Sequence, residues 1–538
     1  MSTQAPPASA PDDVGRPSGI GLALLLGLVA GLLLFRLGAV PLLGPDEPRY
    51  TRVAIEMHRA GDWVRPTLQG QPWLEKPALY YWLAGLGFSV LGETEVAARL
   101  PSVLATLLMV GATALFGARL FGKAAGLHAG FILGTSLLTF AYGRAAAMDA
   151  LLAAGVTGAV GFFAVAFLEP GRRFAIPMAY LCMALATLAK GPIGFLLPGL
   201  VAVGFVAITR RWRLLLLVFS PLGIALFVLV AGPWYLAAYR ALGREFIDVF
   251  FVNHNLERFT STIHRHPGSF AYYVPVLLAG TFPWSGLAVP ALAGLRPRRA
   301  PAELFVLLWL LLPLGFFSAA GSKLPGYILP CLPPLAMLMG QTSASLAAGR
   351  STRSPWLRAG AALTLALGLV LAAGPFLLAR RGEPTWPWLL PAGAFGLALS
   401  VVATARALRA PSSLPRVLLA GAAGFLLLLP VVLPPVLDSR ESGRRLFVPA
   451  EGRQVLAWGA WRTAWMAGYF YNDARVRQIE GIGEVAEAAH QEPALLLCGP
   501  AERRQLEQAP GLTIRVLAEG PRSNVLLEVR ERGQRPGA

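Results

Sequence analysis

The chain has 538 residues, of which 55% are hydrophobic and 14% charged, with a mean hydropathy of +0.57. A soluble globular domain carries less apolar weight and more charge, so the composition identifies a polytopic membrane protein. Lys and Arg exceed Asp and Glu by 47 − 29 = 18, but they are spread through short loops between apolar runs, a positive-inside pattern that calls for no nucleic-acid partner.

Residues 1–18 read as a disordered cytoplasmic tail. The apolar run that follows is long enough to stay in the membrane as a first span. Apolar segments recur near 19–38, 97–118, 125–142, 150–168, 174–189, 192–209, 214–236, 271–294, 303–319, 325–347, 359–379, 387–405 and 416–437. They predict an α-helical polytopic domain of about thirteen spans over 19–437. Residues 78–91 fit either a short membrane-dipping helix or part of the next span.

Six alternate loops carry the basic clusters Arg119 and Lys123; Arg172 and Arg173; Arg210, Arg211 and Arg213; Arg296, Arg298 and Arg299; Arg350, Arg353 and Arg358; and Arg406, Arg409 and Arg416. These belong on the cytoplasmic side with the N-terminus. The other loops then face outward. Asp46, Glu75, Lys76, Asp149, Lys190, His264, His266 and Lys323 all fall on that face. Chance would scatter them, so the pattern points to an outward-facing active site.

The loop 44–81 is unusually rich in acids, bases and aromatics. Charged groups at a membrane boundary are costly unless wet or paired. Arg49 to Arg59 places Val53, Ile55, Met57 and Ala60 among charges, which predicts an interfacial amphipathic helix. Residues 438–538 turn polar, with strand-like runs near 494–498, 512–517 and 524–529 and helical stretches at 483–490 and 501–508. They read as a small α/β domain held outside, with no nucleotide-binding loop and no nucleotide cofactor.

Asp46 and Asp149 are candidate catalytic carboxylates, one as general base and one as orienting group, although each also fits a helix N-cap. Lys76, Lys190 and Lys323 each sit beside a Pro or a Gly/Pro turn at the outer boundary, with Arg49 and Arg258 on the same face. A single such Lys usually snorkels; together they suggest a site for an anionic lipid headgroup. His254, His264 and His266 gather in one outer loop, where they could join Glu75 and Cys331 around a metal. Cys331 alone fits a buried small hydrophobe as well.

The blocks GPDEPRY, GDWVRPTLQGQPWLEKPALYYW, EVAARLPS, FGKAAGL, AKGPIGFLLP, GPWY, NLERF…HRHPGSFAYY…PW and SKLPGYILPCLPPLAML occur in this order. Over residues 20–340 the chain resembles the aminoarabinose transferase-like, lipid-linked-sugar glycosyltransferases, which are related to the protein O-mannosyltransferases. The resemblance implies a C-type glycosyltransferase fold in the bacterial inner membrane, with periplasmic juxtamembrane helices at 44–81. It implies a polyprenyl phosphate sugar donor, an acceptor such as lipid A or another glycan or protein, and an inverting transfer. Carried over by residue, Asp46 and Asp149 match the two essential carboxylates and Lys76 the lysine that holds the phosphate; Arg49, Tyr50, Tyr81, Lys190, Arg258 and Lys323 join Lys76 as candidate donor-phosphate and substrate-binding residues. Glu75, His266 (His264 as alternate) and Cys331 match a zinc site. Pro48 stands where relatives often have Ala. The competing readings are another acceptor within the same superfamily and, more distantly, a lipid or polysaccharide transporter, which lacks support in internal symmetry or broken mid-membrane polarity.

Overall fold

The structure, a computed structural model, describes residues 15–532 except 170, 251–267, 299 and 351–353. His254, Arg258, His264 and His266 therefore lie outside the described residues, as does the Arg299 and Arg353 part of the basic loops.

Helix α1 (Gly19–Leu34) opens the membrane domain, with the Ser18 hydroxyl accepting from Gly21 N–H at 3.0 Å as its N-cap. Helix α2 (Asp46–Ala60) ends at Gly61, whose φ of +64° lets the chain turn back as only glycine does without strain. A two-stranded hairpin, β1 (Thr67–Leu68) and β2 (Gln71–Pro72), leads to α3 (Leu79–Leu91). Then come α4 (Glu95–Phe121), the bent pair α5 (Lys123–Gly134) and α6 (Leu137–Gly143), α7 (Asp149–Leu168), α8 (Ala175–Lys190) and α9 (Ile193–Thr209). Helices α4 and α7 are mostly enclosed by protein, whereas Trp212–Leu242 and Pro355–Arg380 leave most of their apolar surface outward. An apolar helix with one exposed side fits a lipid-facing position.

Each of the thirteen apolar runs contains a helix or a helix pair. Among the described residues seven helices are long and apolar enough to cross a membrane, or nine if each of two bent pairs is one span. Those pairs bend by 62° between α5 and α6 and by 115° between Phe270–Gly280 and Ser285–Ala293. Four more, α1, α8, α9 and Leu332–Ala347, have 16 or 17 residues, which at about 1.5 Å per residue falls short of a hydrocarbon core of about 30 Å. Residues 78–91 resolve into α3, a separate helix.

Helix α2 does not lie on a lipid surface with one apolar face down. Pro48, Arg49, Tyr50, Thr51, Val53, Ala54, Ile55 and Met57 are all buried, because α2 packs against α3 and against the helix Gly468–Tyr471 of the C-terminal domain. Pro48 falls in its first turn, where a missing N–H leaves no hydrogen bond unmade.

After the helix Leu414–Arg440 the chain builds a five-stranded sheet in the order β4-β3-β5-β7-β6, from β3 (Val455–Trp458), β4 (Val476–Gln478), β5 (Ala494–Cys498), β6 (Leu512–Glu519) and β7 (Val525–Glu531). The β3–β4 and β3–β5 pairs are parallel, and β7 runs antiparallel to both β5 and β6. All five β5 residues are buried, which suits a central strand covered on both faces. The two short strands β3 and β4 were not evident from the sequence pattern.

Candidate active site

A cavity of about 610 Å³ opens where α2, α6, α7, α8 and the 320–327 turn converge. Asp46, Tyr50, Lys76, Asp149 and Lys190 all line it, so residues separated by up to 144 positions (190 − 46) share one space. Leu152, Ile193, Leu196, Phe316 and Phe317 form its apolar wall. A wall of that kind beside a few convergent charges is what a lipid with an ionic headgroup requires.

Neither aspartate serves as an N-cap. Asp46 and Asp149 each occupy the first helical position, after Pro45 and Met148, and no side-chain cap bond forms at either end. Each carboxylate instead meets a cation. Asp46 Oδ1 accepts from Arg49 Nη2 at 2.6 Å, and Asp149 Oδ1 accepts from Lys190 Nζ at 2.7 Å. Their surroundings differ: the Asp46 side chain is 48% exposed and that of Asp149 16%. Asp46 is therefore open to an incoming group while Asp149 is committed to Lys190. The Lys190 ammonium also lies 5.0 Å over the Tyr327 ring, a cation–π contact that holds it at the cavity.

Behind Asp46, Arg49 also reaches Glu75 at 3.1 Å and sits 5.2 Å from the Tyr50 ring and 5.0 Å from the Trp73 ring. Burial opposes its charge, but Glu75, Tyr50 and Asp46 outweigh burial and keep the guanidinium protonated. Burial, then Glu75 and Asp46, push the Tyr50 phenol well above its usual range, so Tyr50 stays an O–H donor at neutral pH. Glu75 Oε1 takes Lys76 at 3.1 Å while its Oε2 takes Arg49.

Three of the expected donor- and substrate-binding residues stand outside the cavity lining. Arg49 acts from behind Asp46. Tyr81 is 1% exposed in the core. Lys323 is buried and donates to Ala320 O at 2.6 Å, while its neighbours Ser322 and Leu324 line the cavity. Arg258 lies outside the described residues.

Among the described residues no three His, Cys, Asp or Glu side chains gather as a metal centre. Glu75 faces two cations, and Cys331 is fully buried among apolar groups. These two do not form a metal centre by themselves, and the histidines His266 and His264 lie outside the described residues.

The sequence reading missed the frame that holds the two aspartates. The buried Glu47 carboxylate accepts from Leu43 N–H at 2.7 Å, Arg99 Nη2 at 2.9 Å and Ala146 N–H at 2.6 Å. It thereby ties the segment carrying Asp46 to the loop that presents Asp149. Arg99 donates in turn to the carbonyls of Leu37, Val40 and Pro41. Arg144 donates to the carbonyls of Leu33, Phe35 and Arg36 at the end of α1, where a cation suits the helix dipole. The available signal was Arg99 itself, the one basic residue inside the largely apolar EVAARLPS block. Gly326 completes the frame, since a Cβ there would lie 2.7 Å from Asp149 Oδ1.

Residues 75–236 match the family model described as dolichyl-phosphate-mannose-protein mannosyltransferase. The chain is 36% identical over 357 residues to an undecaprenyl phosphate-alpha-4-amino-4-deoxy-L-arabinose arabinosyl transferase of Pectobacterium carotovorum, covering 65% of this chain and 63% of that one. It thus spans just under two thirds of the length of that relative. A transferase of the same name from Sodalis glossinidius is 35% identical over 388 residues, covering 69% of this chain and 68% of that one. The fold matches the crystal structure of ArnT from Cupriavidus metallidurans bound to undecaprenyl phosphate, with a TM-score of 0.78, 25% identity and coverage of 95% of this chain and 98% of that chain. With this fold, site and extent of similarity, the chain belongs to the undecaprenyl phosphate-aminoarabinose arabinosyl transferase family, whose members have the C-type glycosyltransferase architecture.

Proposed function

We propose that this protein transfers a sugar, of the aminoarabinose type, from undecaprenyl phosphate to a periplasm-facing acceptor, lipid A being the first candidate. The observation that carries the reading is the cavity that brings Asp46, Lys76, Asp149 and Lys190 together beside an apolar wall. The names of the relatives support the donor and the sugar. In this reading the protein lies in the bacterial inner membrane, with the cavity and residues 438–538 in the periplasm.

Lys76 and Lys190 take the donor phosphate, and the apolar wall takes the first units of the polyprenyl chain. As the bond from sugar C1 to the phosphate oxygen breaks, negative charge grows on the phosphate, where positioned cations stabilise it most. The acceptor oxygen attacks C1 from the opposite face, forming the new glycosidic bond with inversion and releasing undecaprenyl phosphate. An ionised phosphate acceptor needs no base, and Asp46 then only orients it. A hydroxyl acceptor gives its proton to Asp46, the more exposed of the two carboxylates. Asp149 holds Lys190 in place. Zinc held by Glu75, His266 (or His264) and Cys331 is carried as a separate proposal, supported by the chemistry of that ligand set, and no step runs through it.

Mass spectrometry of lipid A from cells with and without the protein tests the acceptor, and purified protein tests the donor. Lys76→Ala and Lys190→Ala weaken binding of undecaprenyl phosphate, whereas Asp46→Asn binds it and, with a hydroxyl acceptor, transfers about 10²–10⁴-fold more slowly. Unmodified lipid A with altered exported proteins or glycans selects the mannosyltransferase-like reading that the family match over 75–236 favours. Reporter fusions at Arg211 and Asn524 read cytoplasm and periplasm respectively; a cytoplasmic signal at Asn524 overturns the orientation.

A further inference from the structure

Helix α2 has two working faces. Asp46, Arg49 and Tyr50 serve the cavity, and Arg52, Glu56 and Arg59, at i, i+4 and i+7, form a second row along the helix. That second row meets the turn 472–475 of the C-terminal domain. Asp473 Oδ1 accepts from Arg52 Nη1 at 2.6 Å and from Arg59 Nη1 at 2.8 Å. One carboxylate oxygen therefore grips the helix at positions nearly two turns apart.

The turn is built for the contact. Asp473 and the following Ala474 both have left-handed backbones, with φ of 49° and 61°. Asp tolerates that conformation better than most residues, and Ala does not favour it. Asn472 holds the turn from inside, its Nδ2 donating to Arg453 O at 2.9 Å and Arg475 O at 3.1 Å. Strain kept at one place by its surroundings points to a role for that place.

Two further links run parallel to the grip. Gln69, in the hairpin after α2, donates from Nε2 to Ala474 O at 3.1 Å and Val476 O at 2.9 Å. Tyr471 accepts from Leu42 N–H at 2.8 Å, just before the cavity loop, and donates to Glu95 at 3.2 Å. The C-terminal domain thus touches the segments before, along and after α2.

We propose that the C-terminal domain is part of the catalytic apparatus, with Asp473 as a positioning residue that sets how far α2 carries Asp46 and Arg49 into the cavity. The inference rests on the proposed transferase reading. Asp473 and Arg59 are half-exposed while Arg52 is largely buried; ion pairs to a half-exposed carboxylate add little to stability, so losing the Asp473 charge moves the helix rather than unfolding the protein. A small displacement of a reacting group is enough to slow catalysis by about 10- to 100-fold.

The test uses the full chain in detergent or nanodiscs, with undecaprenyl phosphate as the binding probe. Asp473→Asn keeps the left-handed turn and removes the charge; Asp473→Lys reverses the charge; Asp473→Glu keeps it. The expected order of kcat is wild type, then Glu, then Asn, then Lys, with Lys slower by about 10- to 100-fold. Undecaprenyl phosphate affinity and melting temperature stay near wild type, and hydrogen exchange over residues 46–60 rises in the Asn and Lys variants. Wild-type kcat in both the Asn and Lys variants overturns the inference. So does a Lys variant that loses donor binding, melting temperature and kcat together, because that is general destabilisation. Wild-type protein that fails to bind undecaprenyl phosphate overturns the transferase reading instead.

Discussion

Glu47 and Arg99 form a buried ion pair at 2.9 Å, 52 residues apart in sequence, and the same carboxylate also receives the backbone of Leu43 and of Ala146. The pair lies at the junction of the two segments that deliver Asp46 and Asp149. Both partners are almost inaccessible, with side-chain exposures of 9% and 3%.

Removing one member leaves the other charged in a dry site. Glu47→Ala is expected to destabilise the fold by about 3–5 kcal/mol, the usual loss for breaking a buried pair from one side. Arg99→Met, which orphans three carbonyls as well, is at least as harmful. Thermal unfolding of purified protein measures both; unchanged melting would show that the pair is dispensable to the frame.

At Gly326 the limit is space. A methyl group there would meet Asp149 Oδ1 at 2.7 Å and overlap the Tyr142 ring, so Gly326→Ala must displace the carboxylate that anchors Lys190. Transfer is expected to slow by about 10²-fold, the scale of a misplaced catalytic group. Undecaprenyl phosphate binding is expected to weaken with it, because Lys190 is part of the proposed phosphate site. Wild-type turnover in Gly326→Ala would show that the Asp149–Lys190 geometry does not govern the reaction.

Metal analysis decides the zinc proposal. About one zinc per chain is expected, with most of it lost in Cys331→Ser, since a thiolate is a strong zinc ligand. Retention in Cys331→Ser with loss in Glu75→Gln leaves Glu75 and a loop histidine as the ligands. Metal-free wild-type protein removes zinc from the proposal.

Acid should loosen the contact between α2 and the C-terminal domain. Burial alone would raise the Glu56 carboxyl, but hydrogen bonds from Arg52, Gly70, Thr67 and Gln69 outweigh it and leave it lowered. Burial likewise opposes the lowering of Asp473, and Arg52 and Arg59 overcome it. A depressed folded-state pKa adds stability above the unfolded carboxylate pKa of about 4 and loses it as the pH falls through the folded value. Amide protection over residues 46–60, corrected for the intrinsic pH dependence of exchange, is therefore flat at neutral pH and falls below about pH 4. A loss of protection beginning near pH 6 would point to a histidine instead.

The membrane character was legible in the sequence, and so were most of the charged residues that line the cavity, Asp46, Lys76, Asp149 and Lys190. They rest on properties that act locally: apolar length and the rarity of charge at a membrane boundary. The thirteen apolar runs each contain a helix for the same reason. Tertiary structure alone decided which charges meet. Asp149 resembles an N-cap in sequence, but α8 brings Lys190 to within 2.7 Å and converts it into an ion pair. Lys323 resembles Lys190, yet its ammonium turns to the Ala320 carbonyl. Glu47 and Asp473 carry no local mark of their roles, because each works through a partner at least 50 residues away. A buried carboxylate must find its donors wherever the packing puts them, and that choice is made by the assembled helices and not by any single stretch of chain.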